Sequence, residues 1–474
     1  MTLRELTGGR APDVEITGLA YSSNDVEAGS LFFCVPGFRS DGHDFAPDAV
    51  ARGAAALVCE RPLGLGVPEV VVPSVREAMG QLAARFYGDP TRELRVVGIT
   101  GTNGKTTTAF LTRAILEATG TQCGLIGTVK YVIGGDEVEA VRTSPEALDL
   151  QRAFRAMLDG GDGACAMEVS SHALELRRTQ GIEWACRIFT NLTQDHLDFH
   201  KTMEDYFLAK RRLFLAGDAP SVVNVDDPYG QRLAEQVPAV TYGIGGRADF
   251  RAEDVAFDAG GARFTLVAPS GQADARIQLP GLFNVSNALA AVAACVQLGV
   301  SVDDAVAALA GAERVPGRLE PVDEGQDFAV LVDYAHTPDS LENVLRAARE
   351  LTEGTLHVVF GAGGDRDREK RPLMGAAAVQ NADRVIVTSD NPRSEEPGSI
   401  IEQILEGTGE RVEHEVDRRR AIAMAIGSAA AGDVVVIAGK GHEQGQEFEN
   451  GRKEPFDDVT VARDALRTRL GAAA

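Results

Sequence analysis

The sequence predicts an α/β protein of three domains, the central one built on a mainly parallel sheet. Three observations carry this. The apolar run Val96-Val97-Gly98-Ile99 leads into Thr100-Gly-Thr-Asn-Gly-Lys-Thr-Thr107 and then into a helical pattern, which reads as buried strand, glycine-rich turn and helix. Short apolar runs alternate with helical stretches over most of the chain, the pattern of a sheet with helices on both faces. Two turn-rich breaks, Gly88-Asp-Pro-Thr-Arg92 and Val315-Pro-Gly-Arg318, divide the chain into segments 1–88, 89–313 and 314–474.

The first segment carries strands expected at 31–35, 55–59 and 70–72 and a helix at 74–87. In the central segment the strand at 96–99 is followed by others at 164–169, 187–191 and 221–225. Residues 247–280 are more polar, are punctuated by glycine and alternate like a small antiparallel sheet, as at 262–267. The last segment repeats the α/β alternation, with strands at 329–333, 357–360, 384–388 and 433–438, and reads as a C-terminal Rossmann-like α/β domain. Each of its strands ends in polar, glycine-rich residues, where open α/β sheets bind ligands.

Composition narrows the class. Of 474 residues, 44% are hydrophobic and 25% charged, the balance of a soluble globular protein. No apolar run approaches the ~18 residues of a membrane span. The first ten residues lack the apolar core of a signal peptide, so the expected location is the cytoplasm. A net charge of −23 argues against nucleic acid or an anionic membrane as partner, and leaves anionic substrates to local basic clusters. Six scattered cysteines without a Cys-x-x-Cys pair read as reduced buried thiols. A monomer is expected.

The glycine-rich turn has the chemistry of a phosphate cradle. Gly101 and Gly104 let the backbone bend so that the N–H groups of the loop, Thr102 and Asn103 included, face an anion, and the helix N-terminus adds partial positive charge. Lys105 can reach terminal phosphates, and the hydroxyl of Thr106, next to Thr107, can ligate Mg2+. Ile99 stands where the usual Walker form has glycine, so the loop is shorter than that form. A chance Gly-Lys-Thr on a structural turn is the plain alternative, and the strand before and helix after speak against it. A nucleoside triphosphate is the expected ligand.

Glu168, at the end of the next strand, is placed to hold Mg2+. In Thr190-Asn-Leu-Thr-Gln-Asp-His-Leu-Asp-Phe-His200, helix capping explains Asp195 and Asp198 as well as metal or phosphate contacts do, and His196 is the residue assigned to metal. Lys210 sits in a basic amphipathic helical pattern and by that pattern alone is a surface residue. Asn284 and Asn287 share one helix face and could cap the helix or read a purine. Asp333 ends a buried strand. At successive strand ends stand Gly363-Gly-Asp-Arg-Asp-Arg368, Ser389-Asp-Asn-Pro-Arg393 and Gly439-Lys-Gly-His-Glu443. Arg366 and Arg393 offer forked donors to a carboxylate, and Asp390 and Glu443 could take an ammonium. Singly these are ordinary surface salt bridges, but three clusters at three strand ends describe a pocket for a small zwitterion.

Together, the glycine-rich loop, Glu168-Val-Ser-Ser-His172, Asn191 with Asp195-His196, Phe283-Asn-Val-Ser-Asn287 and Asp333-Tyr-Ala-His-Thr-Pro338 resemble the signature set of the Mur ligases over nearly the whole chain. Those are ATP-dependent amide-bond-forming enzymes of peptidoglycan assembly. The resemblance implies that ATP is held by Gly101 to Thr107, Asn284 and Asn287, with Arg318 and Asp333 reaching it from a third domain that closes over the second. It implies a catalytic set of Lys105, Glu168, His196 and Lys210, the last carried as a carbamate, with Thr106, Glu168, His196 and Lys210 on Mg2+. Ser23, Phe38, Arg39 and Ser40 would contact a nucleotide-sugar, and Thr143, Ser144, Ser170 and Arg178 the muramoyl-peptide path of UDP-N-acetylmuramoyl-L-Ala-D-Glu. Arg366, Asp390, Asn391, Pro392, Arg393, Gly439 and Glu443 would bind the incoming amino acid, and the Asp-Asn-Pro-Arg form is the one associated with meso-diaminopimelate. Two departures stand out. Ser22-Ser23-Asn24 replaces the usual Asp-Ser-Arg and loses its charges, and Arg142-Thr143-Ser144-Pro145 replaces a Thr-Thr-Pro run but keeps a hydroxyl.

Overall fold

Every side chain of Leu31-Phe-Phe-Cys34 is buried, because the strand that ends at Phe33 has a packed layer on each face. Leu31 and Phe33 join one core with Leu3, Val58, Val75 and Met79. Phe32 and Cys34 join the other with Ala46, Ala49 and Leu57. The computed structural model describes residues 1–9, 11–37, 40–258, 261–409 and 412–473. They divide into two units, one of Met1–Gly98, Gly120–Arg187 and Arg212–Ala219, the other of Ile99–Thr119, Ile188–Arg211 and Pro220–Ala474.

In the first unit, strands Gly18–Ala20, Ser30–Phe33, Ala56–Cys59 and Glu69–Val71 form an all-parallel sheet in that order. Helix Val75–Phe86 follows, its first turn capped by the Ser74 hydroxyl accepting from Glu77 N. A second group pairs Cys123–Ile126 in parallel with Ala164–Glu168 and antiparallel with Lys130–Ile133, which pairs in turn with Asp136–Glu139. Ala164–Glu168 is buried throughout, so its last residue, Glu168, emerges from the core directly into a loop.

The second unit begins at the end of strand Arg95–Thr100, where the glycine-rich loop opens helix Lys105–Ala118. Gly104 stands at the N-cap with φ +86° and no side-chain cap, so no capping group takes the first-turn N–H groups. Helix Leu282–Gln297 packs against this helix and is apolar nearly all round, as a buried helix must be. Strands Ser221–Asn224, Val240–Gly243 and Phe250–Asp258 pair in parallel. Gly261–Ala268 and Gly271–Ile277 then add antiparallel to that edge, so the antiparallel strands continue the same sheet.

The same unit holds a six-stranded sheet ordered Glu320–Pro321, Ala329–Asp333, Val434–Ala438, Leu356–Phe360, Arg384–Thr388, Glu413–Glu415. All its pairings are parallel except that of Glu320–Pro321. One core lies against helices Pro338–Arg349, Lys370–Asn381 and Pro397–Leu405. The other lies against Arg418–Ser428 and Asp458–Ala473. Being parallel, the central strands deliver the loops after Asp333, Phe360, Thr388 and Ala438 to one edge of the sheet. All six cysteines are buried. No helix among the described residues is long and apolar enough to cross a membrane.

Candidate functional site

The glycine-rich loop is held by the loop that follows strand Trp184–Phe189. Asn191 Oδ1 accepts from Asn103 N (2.8 Å), Asn191 O accepts from Thr102 N (2.9 Å), and Thr190 Oγ1 donates to Asn103 O (2.6 Å). The approach is closest at the two glycines. A Cβ at Gly101 (φ +154°) would lie 1.8 Å from Thr190 Oγ1, and one at Gly104 2.3 Å from Asn287 Oδ1. Asn287 therefore braces the loop from helix Leu282–Gln297, donating also to Asn284 Oδ1 (3.3 Å), while Asn284 returns to Pro280 O (2.7 Å). Neither asparagine caps the helix; Gly281 occupies the cap.

Lys105 Nζ curls back to Thr102 O (2.7 Å) and Gly101 O (3.1 Å). The surface position expected for Lys210 is overturned. Its side chain is 1% exposed, and Nζ donates to Gly101 O (2.8 Å) and lies 4.6 Å from the Tyr206 ring centroid. The amphipathic pattern pointed the wrong way because the glycine-rich loop packs on this face of the helix. Burial, and then the neighbouring Lys105 charge, push the Lys210 pKa well below that of an ordinary lysine, against the pull of Asp195.

Asp195 does not cap a helix. Its carboxylate is buried between Lys370 Nζ (3.3 Å), His196 Nε2 (3.2 Å) and His336 Nε2 (3.9 Å). Burial opposes its ionisation, but Lys370 and the two histidines overcome it and hold its pKa far below the carboxylate range. His336 is pushed down to about 4, by burial and then Lys370. His196 itself has φ +56° and a half-exposed ring. Arg318 reaches the same loop, with Nη2 donating to Thr106 Oγ1 (3.0 Å) and the guanidinium over the Tyr334 ring. Asp333 accepts from Leu319 N (2.7 Å) and Ala335 N (2.8 Å), and burial raises its pKa against the effect of Arg318.

The strand-end clusters of the six-stranded sheet also converge. Arg393 (φ +51°) donates through Nε to Glu447 Oε2 (3.0 Å) and through Nη1 to Gly364 O (2.7 Å). Asp390 and Asn391 are buried, and Asn391 Nδ2 donates to Glu443 Oε2 (2.8 Å). Pro392 O approaches to 1.9 Å of a Cβ built on Gly364, so backbone contact requires that glycine, and φ +119° requires the one at Gly439, where Asp390 Oδ2 lies 2.6 Å from a built Cβ. Arg366 is exposed, and its Nη1 donates to Asp365 O of its own loop (3.0 Å). Two buried arginines outside the motifs set these loops. Arg371 holds Glu395 and Gly363 O, and Arg418 pairs with Asp458 and donates to Ser389 O and Ala438 O.

In the first unit, Thr128 N and Oγ1 hold the Glu168 carboxylate (2.8 and 3.1 Å), and Thr128 Oγ1 meets Thr143 Oγ1 (3.1 Å). Ser144 Oγ donates to Glu168 O (3.0 Å) and accepts from Ser170 N (3.0 Å), and Arg178 Nη1 donates to Ser144 O (3.2 Å). Thr143, Ser144, Ser170, Arg178 and Glu168 are thus brought together. Glu146 joins them beneath Arg76, Arg142 and Arg178. Ser23 and Ser40 stand on loops of the four-stranded sheet, Ser23 opening a short turn capped by Ser22. Phe38 and Arg39 lie outside the described residues.

The fold and these sites define a ligase of known type. A family model described as the Mur ligase middle domain matches residues 99–295, one for the Mur ligase, glutamate ligase domain matches 317–441, and one for the Mur ligase family, catalytic domain matches 15–87. The chain belongs to the Mur ligase family. It is 50% identical, over 97% of its length and 96% of the relative's, to the UDP-N-acetylmuramoyl-L-alanyl-D-glutamate--2,6-diaminopimelate ligase of Geobacillus kaustophilus. It is 47% identical to the protein of the same name from Streptomyces coelicolor, over 99% of this chain and 96% of that one. A solved structure of a ligase with that name is 35% identical, with a TM-score of 0.72 over 99% of both chains. The MurF structure from Acinetobacter baumannii, at 20% identity and TM-score 0.67 over 100% of this chain and 98% of that one, shares the fold.

Proposed function

We propose that the chain joins meso-diaminopimelate to the D-Glu carboxylate of UDP-N-acetylmuramoyl-L-Ala-D-Glu at the expense of ATP. The observation that carries this reading is the convergence of the Asp390–Arg393 and Gly439–Glu443 loops at strand ends of the unit that also holds the phosphate cradle. The carboxylate attacks the γ-phosphorus and ADP leaves, giving an acyl phosphate. The amine of diaminopimelate then attacks the acyl carbon and expels phosphate, losing a proton.

In this reading Gly101 to Thr107, Asn284, Asn287, Arg318 and Asp333 bind ATP, and Lys105 faces the transferring phosphoryl group. Ser23, Phe38, Arg39, Ser40, Thr143, Ser144, Ser170 and Arg178 take the nucleotide-sugar substrate. The three-domain division at 88/89 and 313/314 belongs to the same proposal, supported by the spans of the three family matches. Mg2+, a hard cation that seeks oxygen, would neutralise phosphate charge when bound. The Thr106 hydroxyl suits it, and so does Lys210 once its amine carries CO2 as a carbamate. As an ammonium Lys210 would repel the ion. By the resemblance, His196 would supply a nitrogen ligand and Glu168 a carboxylate. Among the described residues no cluster of three or more His, Cys, Asp or Glu side chains is already gathered as a metal site.

The test is phosphate release with ATP, Mg2+ and the UDP-dipeptide, comparing meso-diaminopimelate with L-lysine. Release that requires diaminopimelate is the expected result. Release without any amino acid would fit a nucleotide switch and overturn the reading. Arg393 is the residue for the extra carboxylate, and its fork is already oriented by Glu447 and Gly364 O. Arg393→Ala is expected to raise the diaminopimelate KM by about 30-fold or more while leaving the ATP KM nearly unchanged. Unchanged diaminopimelate KM would remove Arg393 from the site.

A further inference from the structure

The acidic end of the amino-acid pocket already contains an ammonium, and it belongs to the protein. The Lys440 side chain is wholly buried. Its Nζ donates to Asn391 Oδ1 (2.8 Å) and Glu443 Oε2 (3.1 Å) and lies 3.6 Å from Asp390 Oδ1. Those are the groups expected from the sequence to receive the substrate. Asn391 Oδ1 also accepts from Glu447 N (2.9 Å), and Asn391 Nδ2 donates to Glu443 Oε2 (2.8 Å), so Lys440 ties the loops after Thr388 and Ala438 together and, through Asn391, to the end of strand Gly445–Glu447. Burial disfavours the charged form of Asp390, but Lys440, followed by Arg418, His336 and Arg393, lowers its pKa below the ordinary value.

Charge counting gives this lysine a role beyond packing. Asp390, Glu443 and Glu447 bring three negative charges, and Lys440 and Arg393 return two positive ones. The array therefore carries one net negative charge, and Lys440 keeps it from carrying two; each further negative charge draws a lone ammonium more strongly than an end group whose own carboxylate cancels its ammonium.

We propose that Lys440 is a positioning and specificity residue of the amino-acid pocket: its buried ammonium orders Asp390, Asn391 and Glu443 and sets their charge so that an amino-acid end group, ammonium with carboxylate, is accepted over a lone ammonium. This rests on the proposed function. Lys440→Met and Lys440→Gln remove the charge, glutamine keeping a donor for Asn391, and Lys440→Arg retains it. Steady-state phosphate release is measured for each with meso-diaminopimelate and with L-lysine, alongside the ATP KM and a thermal melt.

For the Met and Gln variants, the expected result is a diaminopimelate KM at least about tenfold higher, an ATP KM within about twofold, and a lower diaminopimelate-to-lysine ratio of kcat/KM. Lys440→Arg is expected to keep the ratio. If Lys440→Met fails to fold, the glutamine variant decides. An unchanged ratio in a folded, charge-free variant overturns the proposal, as does a parallel rise of both KM values with a lowered melt, which would make Lys440 merely structural. Wild-type protein that turns over neither amino acid, or both alike, overturns the functional reading and this inference together; wild-type discrimination that survives loss of the charge overturns this inference alone.

Discussion

Replacing Lys105 by alanine is expected to lower phosphate release about 10²–10³-fold while leaving the protein folded. The lysine is the first residue of helix Lys105–Ala118, and its ammonium turns back over the loop to Thr102 O and Gly101 O. That places a fixed positive charge where a bound phosphate chain would build up negative charge in the transition state. Few contacts that hold the fold depend on it. Gly101 O keeps a second donor, Lys210 Nζ at 2.8 Å, and the backbone of the loop is held by Asn191 and Thr190. The loss should therefore fall on kcat more than on the ATP KM, with the melting temperature close to wild type. Lys105→Arg should rescue little, because a planar fork cannot occupy the point between two carbonyls that an ammonium fills. Steady-state kinetics and a thermal melt check this, and turnover within tenfold of wild type would take Lys105 out of the reaction.

The sheet strands were legible in the sequence where burial on both faces makes an apolar run. Ala329–Asp333, Leu356–Phe360, Arg384–Thr388 and Val434–Ala438 lie within a residue of the runs that announce them. Edge strands were not. Asp136–Glu139 is exposed along its whole length and Glu413–Glu415 is charged at both ends, so neither carries a hydrophobic period. The same split runs through the sites. Gly101 and Gly104 could be read because contact distance and φ exclude a side chain there. Asp390, Asn391 and Arg393 could be read because they cluster at a strand end. Arg418 could not, since it works from the start of a helix 25 residues beyond Arg393 in the sequence, through bonds to two strand-end carbonyls. Asp195 was visible as one acid of a polar loop and half of the Asp195-His196 pair, but its ion pairs were not, because its partners Lys370 and His336 come from sequence more than a hundred residues away. Pattern reports what a residue's neighbours in sequence require, and these groups answer to neighbours in space.

Lys210→Met is expected to abolish turnover and to leave the fold at least as stable. Lys210 is buried with one hydrogen bond, to a carbonyl that Lys105 also serves, and methionine fills nearly the same volume without a charge to desolvate. Sign follows from the protons. The unfolded lysine titrates near ~10.4, whereas burial and Lys105 lower the folded value well below that. Between the two values the unfolded chain binds more protons, so wild-type stability rises with pH. The cost of burying this amine is greatest below the folded pKa and disappears by about pH 10. In buffers freed of CO2, the stability advantage of the methionine variant should accordingly be full below the folded pKa and shrink as pH rises from there, a trend that denaturant titration at several pH values reads directly. The same depressed pKa prepares the chemistry. A neutral amine is the form that attacks CO2; the new N–C bond forms, a proton leaves, and a carbamate anion stands beside Lys105 where a cation would have been repelled. Wild-type activity should therefore rise with added bicarbonate and fall on its removal, and the methionine variant should respond to neither. A variant that kept more than about a hundredth of wild-type turnover would deny Lys210 its role. A destabilised variant whose deficit did not vary with pH would mean that the buried amine is charged and paired, contrary to the pKa shift argued for it.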